Sequence, residues 1–541
     1  MAEWGGVMGD GSIEQTDIVV IGAGFSGMYA IWRLRNEYNV ICFEAGDGVG
    51  GTWYWNRYPG ARVDIQSVEY SYGFDEDLQQ EWHWPEYFSA QPDIERYANH
   101  VADRFDLRDS IRFSNPVESL RFDATANRWH VRTAGGDHVI CRYVIAATGA
   151  LSVPNTPPWP GRDTFRGEIY HTANWPREGV DFSGKRVGFI GTGSTGIQAM
   201  PIIAEQADHL TVFQRTPAFC MPSGNKPLEP AFEKQWKDNY AQRRQQMLKT
   251  YGVSLIEYPE FSVHDCTPEQ CQEILEKAWN SQSAFQLQVA FRDVMTDLAA
   301  NEVVAEFVRN KIRKVVHHPA TAELLCPKTY PIGGKRLCIG NGYFEMFNRD
   351  NVTLVDVKAD PIVSFTETGL RTATVEYELD AIVTATGFDA VTGSMSKIDI
   401  EGLDHRKLAD KWAEGPTTYL GAMVAGFPNL FMIHGPMTPA AQAQMITSGE
   451  WQVNWTAGVI ADMDRAGFAR IDTTDEAEKW WAAEVETASA ATVHKLADSW
   501  YNARNIAGKK GGFMIYVGGF PRYAAMSESA VSDGYRGFVR S

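Results

Sequence analysis

An α/β fold is predicted by three features of the chain. An apolar strand runs into a glycine-rich turn and a helix-patterned segment near residue 20, and the same arrangement recurs near residue 190. After residue 222 that rhythm stops, and Glu, Gln, Ala, Arg and Lys with intermittent apolar residues favour helices.

The first strand, residues 17–21 (DIVVI), is almost wholly apolar, as a strand buried on both faces requires. Met28, Ile31, Trp32 and Leu34 follow near one helical face, and residues 39–43 form a second apolar strand ending at Glu44. Between strand and helix, Gly22, Gly24 and Gly27 hold GxGxxG spacing. The first permits a tight turn, the second lets backbone approach a pyrophosphate, and the third brings helix close to sheet. A carboxylate at the position of Glu44 can accept hydrogen bonds from ribose hydroxyls.

Residues 121–131 read as a peripheral strand region, Gly135 and Gly136 as a hairpin turn, and residues 142–147 as a buried strand. The proline-rich segment 154–160 restricts the chain and reads as a linker. The second unit begins with a strand at 185–190. Gly191, Thr192, Gly193, Ser194, Thr195 and Gly196 form its turn, and the next strand, 209–214, ends in Arg215 and Thr216. An Arg can pair with a ribose 2′-phosphate where Glu would repel it, which favours NADP over NAD; the alternative is an Arg capping a solvent edge. Opposite charges at the two strand ends imply two different dinucleotides, FAD at the first unit and NADPH at the second. An internal duplication with one degenerate site is disfavoured, because both turns keep every glycine.

Helices are expected over 229–249 and 268–313, and strands return at 352–355 and 379–386. The prediction is thus two Rossmann-like dinucleotide-binding domains with a helical insertion. Residues 1–150 begin the FAD-binding domain and 151–222 begin the NADPH-binding domain. Residues 223–330 are the insertion, 331–387 complete the NADPH domain, and 388–541 complete the FAD domain and close over the active region.

The 541 residues are 44% hydrophobic and 22% charged, which excludes disordered, collagen-like and coiled-coil classes. A net charge of −18 disfavours a nucleic-acid binder while leaving room for a local phosphate pocket. Seven cysteines without regular spacing point to packing thiols in a reducing, cytoplasmic setting. Cys266 and Cys271 lack a second cysteine pair, so no metal site is expected. The start of the chain lacks a basic segment followed by an apolar one. The apolar stretch 419–433 is too short and too broken by Gly421, Gly426, Pro428 and Asn429 for membrane insertion.

Residues 165–176, FRGEIYHTANWP, fit an FxGxxxHxxxWP pattern between the two glycine motifs. With GGTWYWNRYPGARVDIQSVEYSY at 50–72, VGFIGTGSTGIQ at 187–198, FQRTP at 213–217, KRL at 335–337 and FNRDNV at 347–352, the chain resembles the Baeyer–Villiger monooxygenases. The resemblance is to their single-chain FAD- and NADPH-dependent type, nearest the branch of phenylacetone and steroid monooxygenases, and it spans roughly residues 15 to 540.

The resemblance implies a reduced flavin that reacts with oxygen to give a C4a-peroxyflavin. Its addition to a ketone forms a Criegee intermediate that rearranges to an ester or lactone. It places the catalytic arginine at Arg336, where a permanent cation stabilises developing oxyanions, and an orienting carboxylate at Asp64. Lys335 joins Arg215 and Thr216 at the 2′-phosphate. Thr52, Trp53, Tyr54, Trp55, Tyr70, Val117 and Met445 fall on the flavin side, and Gln198 in the NADPH-binding run. Ala150 stands where the phenylacetone enzyme has Gln, which removes an amide donor. His171 supports the interdomain arrangement, Trp175 packs beneath that loop, and Trp500 approaches NADPH and substrate on a closing loop. Ala440, Ala441 and Gln442 belong to the ketone-pocket wall, Gln442 replacing a Leu of the phenylacetone enzyme. The alternative chemistry is flavin-dependent N-hydroxylation or sulfoxidation, and a redox-sensing or binding module is weaker still. The sequence leaves the physiological ketone and the oligomeric state, a monomer included, open.

Overall fold

The computed structural model describes residues 13–281, 283–440, 442–506, 509 and 512–541. In its first sheet, Glu14–Ile21 lies between His138–Ala146 and Val40–Phe43 and pairs in parallel with both. Ile18, Val19 and Val20 are fully buried because both faces of this strand are covered. Arg128–Thr133 and Val117–Asp123 extend the sheet by antiparallel pairing, and Ile111–Arg112 borders Val40–Phe43. Two late strands complete it in parallel: Leu430–Met432 on His138–Ala146, and Asp399–Glu401 on Val117–Asp123. The chain therefore returns to its first sheet after building the second.

The strand region expected over 121–131 resolves into a hairpin. Asp123 Oδ1 accepts from the Thr125 and Ala126 amides, and Asn127 adopts a left-handed φ of 52°. Short polar side chains that bond their own backbone favour such turns over a continuous strand.

The second sheet runs Val352–Asp356, His209–Gln214, Arg186–Ile190, Ala381–Thr384 and Glu168–His171, every pair parallel. The strand expected over 379–386 is shorter at both ends. Before it, the Asp380 carboxylate accepts from the Arg186 amide at 2.8 Å; after it, Gly387 turns the chain with φ 84°. A three-stranded antiparallel sheet, Ile362–Thr366, Gly369–Thr372 and Glu376–Glu378, has no counterpart among the expected strands.

The insertion is helical, with Pro230–Lys237, Tyr240–Met247, Pro268–Asn280 and Leu298–Val315 as its main elements. Thr267 and Gln270 form a capping box at the third of these, and Asp297 caps the fourth through the Ala299 and Ala300 amides. Val304, Phe307, Val308 and Ile312 bury the last helix in the core shared with the second sheet. In the first domain, Phe25–Leu34 packs against the 22-residue helix Met445–Ala466. Burial of Met28 and Ile31 there stabilises by roughly 1.5–3 kcal/mol each. Trp32 stands at the edge of that face, its ring 4.2 Å from Phe74.

All seven cysteines are free thiols and six are buried. Among the described residues, no helix is long and apolar enough to cross a membrane. The stretch 419–433 folds as turns around the strand Leu430–Met432.

Candidate active site

The two glycine turns open into one cavity of about 1410 Å³ between the sheets. At the first turn, Gly22 has φ +99°, and a Cβ there would lie 2.7 Å from the Ala147 carbonyl oxygen. A Cβ on Gly27 would lie 1.8 Å from the Gly22 oxygen, so only glycine lets the helix sit this close to the turn. Glu44 is buried at the end of the next strand and accepts from the Ala23 amide at 2.6 Å and the Gly46 amide at 2.8 Å. Burial raises its pKa, against those two donors.

The second turn repeats the geometry. Gly191 has φ +111° with its Cβ position 2.3 Å from the Ala385 oxygen, and the Gly196 Cβ would lie 2.3 Å from the Gly191 oxygen. Gly193 differs: nothing stands within 4 Å of its Cβ position, although it lines the cavity. Its backbone is left open to the cavity at the N-terminus of the helix Ser194–Gln206, a geometry that suits an anion. Thr192 Oγ1 donates to the Thr216 carbonyl at 2.9 Å, joining the turn to the next strand end. Arg215, Thr216 and Lys335 line the cavity there. Burial, and next the Arg215 guanidinium, hold the Lys335 ammonium below the usual lysine range. Two cations kept this close suit a doubly charged phosphate.

Between the cradles stands the Arg336–Asp64 pair. Arg336 Nε and Nη2 donate to the two Asp64 oxygens at 2.7 and 2.8 Å, a bidentate fork that fixes the guanidinium plane. Phe285 covers the guanidinium, 5.4 Å from its ring centroid. Both side chains remain about one quarter exposed, 26% and 25%, toward the cavity. Burial alone would lower the arginine pKa; the Asp64 charge outweighs it, and Arg336 stays firmly cationic. Trp53 Nε1 donates to the Tyr70 hydroxyl at 2.8 Å, and Tyr70 flanks this pair.

Most residues singled out from the sequence meet at this cavity. Gly22, Gly24, Glu44, Thr52, Trp53, Trp55, Asp64, Tyr70, Val117 and Met445 line it from the first domain, with Ala150 beside them. Gly191, Thr192, Gly193, Ser194, Thr195, Gln198, Arg215, Thr216, Lys335 and Arg336 line it from the second, and Gln442 and Trp500 from the C-terminal part. Gly27 and Gly196 stand behind the turns, where their role is close packing. Tyr54 also faces away from the cavity: its hydroxyl donates to Asp47 at 2.6 Å and accepts from Arg177 at 2.7 Å, and its ring fills the space beside Gly46. Ala440 is buried outside the lining, and Ala441 lies outside the described residues. The Gln198 amide is committed to a contact between domains, accepting from the Tyr58 hydroxyl at 2.9 Å and donating to the Arg62 carbonyl at 3.2 Å. His171 Nδ1 accepts from the Ala173 amide at 3.1 Å and sits apart from the cavity lining, which fits a supporting role better than proton transfer.

Sequence reasoning missed Phe285, which no local pattern in the insertion distinguishes from a core aromatic. It also missed Tyr501, buried beside Arg336, whose hydroxyl is pushed up to about 12, chiefly by burial. Its adjacency to Trp500 was the available signal. Among the described residues, no cluster of three or more His, Cys, Asp or Glu side chains could hold a metal ion.

The model of the family described as "FMO-like: Flavin-binding monooxygenase-like" matches residues 15–232. A Baeyer–Villiger monooxygenase of Pseudooceanicola batsensis is 41% identical over 528 residues, covering 97% of this chain and 96% of that protein. A phenazine N-monooxygenase of Lysobacter antibioticus is 37% identical, covering 97% and 96%. The solved structure of an oxidized steroid monooxygenase bound to NADP superposes with a TM-score of 0.92 at 47% identity, covering 97% of this chain and 99% of that one. Full-length identity at this level, on a fold with two nucleotide cradles facing one arginine–carboxylate pair, shows that the chain belongs to the Baeyer–Villiger monooxygenase family.

Proposed function

We propose that Arg336 and Asp64 form the centre at which this enzyme inserts one atom of molecular oxygen beside a ketone carbonyl, giving an ester or lactone. The enzyme is an FAD- and NADPH-dependent ketone monooxygenase. The observation that carries the residue assignment is the bidentate Arg336–Asp64 pair, exposed to the one cavity that both glycine turns enter.

The residues fit both dinucleotides. In this reading residues 1–150 and 388–541 hold FAD, with the Gly22–Gly27 turn at the pyrophosphate and Glu44 at the ribose. Residues 151–222 and 331–387 hold NADPH, with the Gly191–Gly196 turn at the pyrophosphate and Arg215, Thr216 and Lys335 at the 2′-phosphate. Residues 223–330 supply a wall of the cavity. Bound there, NADPH supplies hydride and reduced FAD supplies the electrons that activate oxygen.

The chain's own contribution is electrostatic. Arg336 offers a cation that needs no proton transfer to appear when negative charge develops on oxygen, and the Asp64 fork keeps it from swinging toward solvent. The cavity's walls are largely apolar, which lowers the local dielectric around that charge. Gln442 and Trp500 bear on the ketone side of the cavity, Ala150 on the flavin side, and the enzyme works in the cytoplasm.

The test is a panel of linear, aryl, monocyclic and polycyclic ketones with NADPH and labelled molecular oxygen. At least one ketone gives an ester or lactone carrying one labelled atom, with bulky or cyclic substrates among those accepted. The phenazine N-monooxygenase relative favours one competing reading, oxygenation at nitrogen. Absence of labelled ester across the panel, with labelled N-oxide or sulfoxide from N-heteroaromatic and sulfide control substrates, would put heteroatom oxygenation first.

A further inference from the structure

We propose that Glu69 is a positioning residue that clamps the cavity-wall segment 251–258 against the active centre, and so sets which carbon beside the carbonyl migrates to oxygen. The inference rests on the ketone-oxygenating reading above.

Glu69 and Tyr70 are consecutive residues that face opposite ways. Tyr70 lines the cavity beside Asp64 and Arg336. Glu69 is buried, 3% exposed, and turns its carboxylate to the insertion: it accepts from the Ser254 hydroxyl and from the Leu255 amide at 3.0 Å. Both donors are neutral, and burial raises the carboxyl pKa.

The Glu69 backbone is fixed as firmly as its side chain. Its carbonyl accepts from Arg244 Nη1 at 2.7 Å and from Gln444 Nε2 at 2.6 Å. The Gln444 backbone N–H donates to the Gly252 carbonyl at 2.9 Å. One residue thus ties together three separate pieces of chain at the cavity: the insertion segment, the loop before the helix Met445–Ala466, and the strip carrying Tyr70. Gly252, Ser254, Ile256 and Tyr258 line the cavity on the clamped segment, and Gln442 and Gln444 on the adjoining loop.

Such a wall has a chemical consequence. In the insertion step, the carbon that migrates is the one held in line with the breaking oxygen–oxygen bond, so the wall that orients an unsymmetrical ketone decides between two regioisomeric products. A wall displaced by a fraction of an ångström relaxes that choice without touching the cation that stabilises charge. Packing alone could shape the wall; what assigns the role to Glu69 is a buried carboxylate spent on a hydroxyl and an amide of the wall itself.

The experiment uses FAD-loaded holoenzyme carrying Glu69→Ala, Glu69→Gln or Ser254→Ala. Hydrogen exchange at the Leu255 amide reads the clamp without any turnover, and the ratio of regioisomeric esters from an unsymmetrical ketone reads its consequence. Glu69→Ala and Ser254→Ala speed exchange at Leu255 about tenfold or more, shift the product ratio and raise KM for the ketone, while flavin reduction by NADPH stays near wild type. Glu69→Gln restores the ratio, because its amide oxygen still accepts from Leu255 and its nitrogen can donate to Ser254. If Glu69→Ala does not accumulate as holoenzyme, Ser254→Ala decides alone. An unchanged product ratio with unchanged Leu255 exchange in Ser254→Ala overturns the proposal. A wild-type enzyme that makes no ester defeats the ketone reading instead, and Leu255 exchange still decides whether the clamp exists.

Discussion

The two glycine turns share a backbone geometry and differ in what surrounds it. At the first, the Cβ position of Gly24 stands 3.4 Å from Gly51 Cα, and Glu44 is buried with two backbone amides already on its carboxylate. At the second, Gly193 faces open space, and the strand end carries Arg215 with Lys335 close enough to depress its pKa. The first cradle is acidic, its carboxylate held by the Ala23 and Gly46 amides. The second is open at Gly193 and brings Arg215 and Lys335 together, with Asp498 near Lys335, a charge pattern that suits a dianionic phosphate. The same motif spacing therefore ends in a buried carboxylate in one place and beside a pair of cations in the other.

That contrast can be broken by substitution. Gly27→Ala should have the largest effect, because its methyl would sit 1.8 Å from the Gly22 oxygen. Forcing the helix away costs several kcal/mol, on the scale of a badly overpacked core, so the protein should purify with little flavin and a lowered Tm. Normal flavin content by absorbance would show that the helix can move off the turn without loss of the dinucleotide.

Arg215→Ala should reduce kcat/KM for NADPH by about 30- to 100-fold and leave NADH nearly unaffected, since each charged hydrogen bond is worth roughly 1.5–3 kcal/mol. Equal losses with the two coenzymes would remove Arg215 from the 2′-phosphate. Gly193→Ala should act more gently, raising KM for NADPH about tenfold with Tm changed by no more than about 1–2 °C, because its methyl meets no protein atom. A large fall in Tm would show that this glycine serves the fold.

The smallest effect concerns pH. With its pKa lowered by burial and by Arg215, Lys335 is charged at lower pH and loses its proton earlier than an ordinary lysine as pH rises. Preference for NADPH over NADH should therefore decline by about threefold through the alkaline range, below the usual lysine pKa, and Lys335→Arg should flatten that decline. A flat wild-type profile would mean that Lys335 does not meet the phosphate.

What the sequence shows and hides follows from range. Strand–turn–helix units are local, so Gly22, Gly24, Gly27, Glu44 and their second-unit counterparts were legible from spacing alone. Arg215 was legible because its strand end lies about twenty residues beyond its turn. Arg336 and Asp64 are 272 residues apart, and no local pattern says that they form a fork; only likeness to a family paired them before the geometry did. The hairpin at Asp123–Asn127 was blurred because polar turn residues interrupt two short strands without a Gly or Pro. Tyr54 sits in the same motif as Trp53 and Trp55 yet points the other way, because a one-turn helix spreads adjacent side chains around its axis. Glu69 was invisible for the opposite reason: its partners Ser254 and Leu255 lie in the insertion, where sequence offers only helix composition.

In the proposed function, Arg336, held by Asp64, serves oxygen transfer and not the binding of either dinucleotide. The most direct measurement separates those steps in one preparation of Arg336→Ala: flavin content, the rate of anaerobic flavin reduction by NADPH, and labelled ester formed per NADPH consumed in the presence of oxygen and ketone. Flavin content and reduction should stay within a few-fold of wild type, while ester formation falls by about 10²-fold or more, as loss of one preorganised cation at a developing oxyanion predicts. Ester formation near the wild-type level, with the same label, would contradict the claim.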